Sequence, residues 1–180
     1  MTPFSLARRI ARQDGGVALI EFALSLPVLM LLYLGGYQLC DALSCKRKVT
    51  ITTRAVADLT SQFTTVAPSD LTGVMGDSAQ IMTPYSASRA SIQVSQLYTD
   101  SNGNTTVSWS MAQNAQPLAT NSVYTLPALI KTNSSYIIVA KVVYAYKPAV
   151  SFGLVPTLTF GDTIYMNPRN SNSVTCNGCS

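Results

Sequence analysis

The sequence predicts an α+β fold in which a long N-terminal helix packs its second half on a small antiparallel sheet. Three observations predict it: an apolar run from Val17 to Tyr37, an amphipathic stripe that carries the same helix on to Phe63, and β-rich segments separated by turn residues from residue 90 onward. The chain divides accordingly into a basic leader (1–16), a transmembrane helix (17–37), an amphipathic helical extension (38–63) and an exported α+β domain (64–180).

The run from Val17 to Tyr37 holds only Glu21 and Ser25 as clearly polar side chains, and its length matches the roughly 20 residues that a spanning helix needs. It exceeds the apolar core of a cleaved signal peptide and is not followed by a small-x-small cleavage site. Pro27 inside it cannot donate to the Ala23 carbonyl, so a kink or local unwinding is expected, or a tolerated membrane proline helped by Ser25. Tyr33 and Tyr37 suit interfacial anchoring, and Gly35-Gly36 makes a soft point near the exit. Beyond it, Leu39, Ala42, Cys45, Val49, Thr52, Val56, Leu59 and Phe63 recur three or four apart, as one helix face requires. This stripe reads as core packing.

At Pro68-Ser-Asp70 the texture changes, with a cap for a short helix over about 70–82. Residues 90–98 alternate at Ile92, Val94 and Gln96, and residues 104–111 at Val107, Trp109 and Met111. Asp100-Ser-Asn-Gly103 between them predicts a hairpin. Residues 135–147 are dense in β-branched and aromatic side chains and end at Pro148, and 157–166 read as their partner strand.

Composition narrows the function. The 180 residues carry a net charge of +4 with 11% charged and 47% hydrophobic residues, and the apolar weight is concentrated in the anchor. Arg8, Arg9 and Arg12 precede the run and Lys46, Arg47, Lys48 and Arg54 follow it, which flanks a membrane segment and makes a poor nucleic-acid footprint. Positive-inside counting nearly ties. Histidine is absent and Glu21 is the only glutamate, so no catalytic residues, no metal site and no cofactor are expected. Cys40, Cys45, Cys176 and Cys179 lie outside the apolar run, as suits an oxidising compartment, and three pairings are possible. Cys40 and Cys45 stand about 140° apart on a helix and should not bridge each other. They can instead reach the tail or another subunit, while Cys176-Asn-Gly-Cys179 fits a structural disulfide better than a redox or zinc site.

One stretch, Asp14-Gly-Gly-Val-Ala-Leu-Ile-Glu-Phe22, combines a glycine pair with a carboxylate inside an apolar helix. Glycine lets a backbone enter a narrow protease cleft, and a charge at membrane depth costs roughly 2.5 kcal/mol or more, so such a carboxylate calls for a partner or for hydration at the interface. The segment resembles the type IV prepilin processing site, and more closely the TadE-like proteins of the tight-adherence (Flp) pilus system. The resemblance extends loosely to Leu126-Pro127 before a short helix, the strand ending "YAYKP", and the tail from Tyr165 to Cys176, where Asn167 replaces an expected basic residue.

The resemblance implies a pilin-like arrangement and a processing site at Gly15, Gly16 and Val17, cut by a membrane-embedded prepilin peptidase after Gly16. It makes Glu21 and Phe22 the assembly motif, with the Val17 ammonium or that of a neighbouring subunit as partner to Glu21. It further implies a pseudopilin or minor pilin, since more than a hundred residues follow the helix. Its partners would be other pilin or pseudopilin subunits, the inner-membrane assembly platform and membrane lipid, with a cytoplasmic N-terminus and a periplasmic ectodomain. The competing reading is an uncleaved single-pass protein whose ectodomain binds a ligand or another protein.

Overall fold

The computed structural model describes residues 14–148 and 157–179. The leader basic residues Arg8, Arg9 and Arg12 lie outside the described residues. Two compact units divide at Asp41/Ala42. One continuous helix, α1 (Asp14–Ser61), contributes to both.

In the first unit the leucine-rich sequence favours helix apart from Pro27 and the two glycine pairs, and every residue from 17 to 33 is exposed. Pro27 lies inside the continuous helix. Ser25 turns its hydroxyl back onto the Phe22 carbonyl, 3.1 Å away. A Cβ added at Gly35 or Gly36 would meet nothing within 4 Å.

In the second unit α1 buries Cys45, Val49, Thr52 and Val56 as the stripe predicts, but Leu59 is exposed and Phe63, beyond the helix end, is only half-buried, and Leu39 of the first unit is exposed. Thr53, Ala57, Thr60 and Ser61 are buried instead. The buried face is thus centred further round the helix than the apolar stripe. Thr53 and Ser61 satisfy their hydroxyls on the Val49 and Asp58 carbonyls, at 2.8 and 2.7 Å.

After a two-residue strand, β1 (Thr65–Val66), helix α2 (Pro68–Ala79) begins two residues earlier than expected and passes into a 3-10 turn at Gln80–Met82. Pro68 occupies its first turn, where the missing N–H is harmless, and the Asp70 carboxylate accepts the Ala67 N–H at 2.9 Å. Leu71, Met75 and Ala79 enter the core.

Strands β2 (Ala90–Thr99), β3 (Thr105–Gln113), β4 (Ser135–Tyr146) and β5 (Leu158–Met166) form one antiparallel sheet in the order β3-β2-β4-β5. The β2–β3 turn places Gly103 at φ +83°, and the Asp100 carboxylate accepts the Asn104 N–H at 2.7 Å. One face, with Ile92, Val94, Trp109, Ile138, Val142 and Tyr144, packs in the main core with α1 and α2. On the other, Leu97, Val107, Ile137 and Val139 join Leu126 in a second, smaller core.

The sequence alternation puts Val107 on the face of Trp109 and Met111, and here the structure differs. Gln96 pairs with Trp109 while Leu97 pairs with Val107, so Ser108 is an extra residue in β3. This β-bulge turns Val107 to the opposite face. A final strand, β6 (Thr175–Cys176), pairs in parallel with β1, a ladder too short to show any periodicity in the sequence.

Candidate functional site

The residues singled out at the N-terminus lie together at the start of α1. Gly15, Gly16 and Val17 fall in its first turns, and Glu21 lies four residues beyond Val17 on the same face, one turn along the helix. Val17 and Phe22 are exposed, at 52% and 58%, and Glu21 is exposed beside them. Among the described residues Glu21 has no ion pair.

The helix from Gly16 is long and apolar enough to cross a membrane, and none of its most apolar window is buried by the chain. A helix that is apolar all round is stable in water only when covered, and this one has no cover of its own. Tyr33 and Tyr37 are both exposed, as anchors at a membrane boundary would be.

In the second unit the tail is built into a clasp that sequence reasoning did not find. After β5 the Arg169 N–H donates to the Ser61 carbonyl at 2.8 Å and the Asn170 side chain to the Gln62 carbonyl at 2.7 Å, so the tail satisfies carbonyls that the end of α1 leaves open. The Arg169 guanidinium pairs with Asp58 on the last turns of α1. Further on, fully buried Val174 is held on both sides: its N–H donates to Gln96 Oε1 at 2.6 Å, and its carbonyl accepts the Trp109 indole N–H at 2.8 Å. A buried indole needs such a partner, and the sole tryptophan, set in a strand, was the one signal for it in the sequence.

The four cysteines separate. Cys176 and Cys179 form a disulfide across Asn177-Gly178, with Gly178 at φ +94° and the Cα atoms 5.7 Å apart. Cys40 is exposed and Cys45 buried, both as thiols. Of the pairings that the sequence left open, the tail pair closes on itself, across two residues that include a left-handed glycine. Lys48, one of the basic residues after the apolar run, donates to the Ile81 carbonyl at 3.1 Å, at the 3-10 turn that ends α2. Among the described residues no cluster of His, Cys, Asp or Glu could hold a metal ion.

Two phenols packed against the sheet are shifted. Burial, then a hydrogen bond with the Tyr165 phenol, pushes the Tyr124 phenol well above its ordinary range, and burial raises Tyr144 on the opposite face. The exposed Asp100 carboxylate is held below its usual value, first by the Asn104 N–H.

No curated protein and no solved structure matches the chain. Residues 16–58, from the second glycine of the pair through nearly all of α1, match the family model described as TadE-like protein, so over that segment the chain is similar to the TadE-like proteins.

Proposed function

We propose that this chain is a membrane-anchored pseudopilin or minor pilin, cut by a prepilin peptidase between Gly16 and Val17 and taken into the assembly of a tight-adherence pilus used in adhesion and secretion. The observation that carries the reading is the joining, in one helix, of a segment that matches the TadE-like family to an apolar surface with no cover from its own chain. In this reading residues 17–37 sit in the bacterial inner membrane, the leader is cytoplasmic and the sheet domain is periplasmic. The protein acts as a structural subunit, not as an enzyme. Its partners are the peptidase, other pilin or pseudopilin subunits, the assembly platform and lipid.

The local physics suits processing. The Gly16–Val17 bond lies within α1, so a protease must unwind the first turn to reach it. Each helical glycine weakens that turn by about 1 kcal/mol relative to alanine, and the pair makes the opening cheap. Hydrolysis leaves a carboxylate on Gly16 and a new amino terminus, an ammonium when protonated, on Val17. Glu21 then has an opposite charge one helical turn away, on its own chain or on a neighbour. A buried charge pair costs less in lipid than either charge alone.

Intact mass of the protein extracted from membranes tests the reading. Loss of residues 1–16 is expected, and a full-length membrane form overturns it. Glu21→Ala should leave leader removal intact and abolish co-purification with other pilus subunits. Normal assembly of that variant would refute the pairing.

A further inference from the structure

β5 stops at Met166, paired with Ile138, while β4 continues back to Ser135. The chain turns away from the sheet through Asn167 and Pro168, and a notch of about 590 Å³ opens between the free end of β4, the end of β2 and the tail. Its lining has three chemical parts. Leu126 and Ile137, from the second core on the other face of the sheet, line it where it reaches round the free edge of β4. Tyr98 and Tyr136, opposite each other in register with ring centroids 4.7 Å apart, supply an aromatic wall. Asn167 and Asn172 supply amides on the tail side.

No residue that lines the notch carries a charge. Among the described residues neither the Asn167 nor the Asn172 side chain has a hydrogen bond within the chain. The opposite rim is held in place: Asn133 donates to the Ser101 carbonyl at 3.0 Å, the Ser135 hydroxyl to the Thr132 carbonyl at 2.6 Å, and Ser134 is fixed at φ +54°, a conformation that non-glycine residues adopt only under local constraint.

We infer that this notch binds a neutral saccharide of one or two pyranose rings. Its volume falls within the roughly 300–1,000 Å³ of small-molecule sites, and its make-up, an aromatic wall with a few polar groups beside it, is theirs as well. Phosphates and carboxylates are disfavoured because no arginine or lysine faces the cavity to pair with them. A wholly apolar ligand would strip water from two amides and give nothing back. A sugar matches all three parts. Its C–H edges, weakly positive, meet the negative faces of the tyrosine rings, and its hydroxyls can both donate to and accept from an amide. The inference stands on the sheet domain alone and does not rest on leader processing.

The test is saturation-transfer NMR on the full chain in a zwitterionic detergent, since glycosidic detergents would compete. The probes are methyl glycosides of glucose, galactose, mannose and N-acetylglucosamine, with maltose, cellobiose and N-acetylneuraminic acid. Transfer to the ring C–H protons of at least one neutral sugar is expected. Asn167→Ala, at an exposed position, should weaken it about fivefold, as loss of one neutral hydrogen bond does, and Tyr136→Leu should abolish it. Circular dichroism melting of both variants shows whether the fold survives, and Asn167→Ala alone decides if Tyr136→Leu unfolds. No transfer from any neutral sugar, transfer that Asn167→Ala leaves unchanged, or stronger transfer to the anionic sugar overturns the proposal.

Discussion

Replacing Gln96 by leucine should loosen the tail and destabilise the sheet domain by about 2 kcal/mol. Gln96 is 3% exposed and its Oε1 is the partner of the Val174 N–H, itself in a fully buried residue. Leucine has nearly the same volume and fills the space, but it leaves that N–H without a partner, a loss worth about 1–3 kcal/mol. Near the middle of that range, a domain of this size would melt about 6–8 °C lower. Trp109 reads the event directly because it is the only tryptophan and donates to the same Val174. Fluorescence melting in detergent should show the lower transition, with emission shifted to the red before unfolding as water reaches the indole. Trp109→Phe removes the bond on the other side of Val174, and by circular dichroism the double variant should lose less than the two single losses added, since both act on one residue. A Gln96→Leu protein that melts within about 1 °C of the parent, with unchanged emission, would refute the clasp.

Gly103→Ala should cost about 1 kcal/mol by urea unfolding. At φ +83° the penalty is in the backbone alone, because the added Cβ would meet Asn133 and Lys131 only at ordinary contact distance. An alkaline limb should come from Tyr124. Its phenol, raised in the fold chiefly by burial, stays neutral while the unfolded chain ionises, so its contribution is fully present below about pH 10 and is lost as pH rises beyond that. Tyr124→Phe should blunt the loss of stability between about pH 10 and 11.5, and Tyr144, raised in the same direction, should keep part of it. A pH profile unchanged in Tyr124→Phe would show that the pair with Tyr165 does not govern that limb.

Much of the architecture was legible because it is written in local patterns. The apolar run and stripe foretold α1, the Asp100-Ser-Asn-Gly103 turn foretold the hairpin, and the β-branched run from Ser135 foretold β4. The failures have physical causes. The stripe counted hydrophobicity, so it included Leu59 and passed over Thr53, Thr60 and Ser61, yet a short hydroxyl side chain can be buried on a helix when, as at Thr53 and Ser61, it bonds back to a carbonyl of its own helix. Simple alternation placed Val107 with Trp109 because a bulge adds one residue with no composition of its own at Ser108.

The two ends of the molecule differ in the same respect. Glu21 stands out in a sequence because a carboxylate in an apolar helix is improbable on energetic grounds wherever the chain goes next. The clasp offers no such contrast: its bonds join Gln96 to Val174, Trp109 to Val174 and Asn170 to Gln62, residues 78, 65 and 108 positions apart, all ordinary in their own neighbourhoods. Only the Arg169–Asp58 pair involves charge, and it is partly exposed and so contributes little by itself. What fixes the tail is therefore chiefly the desolvated neutral pair on Val174, where each polar group would be expensive to leave open, and the half-exposed salt bridge adds little. It follows that Arg169→Ala should cost well under 1 kcal/mol while Gln96→Leu costs about twice that or more, an ordering that the visibility of charge in a sequence would reverse.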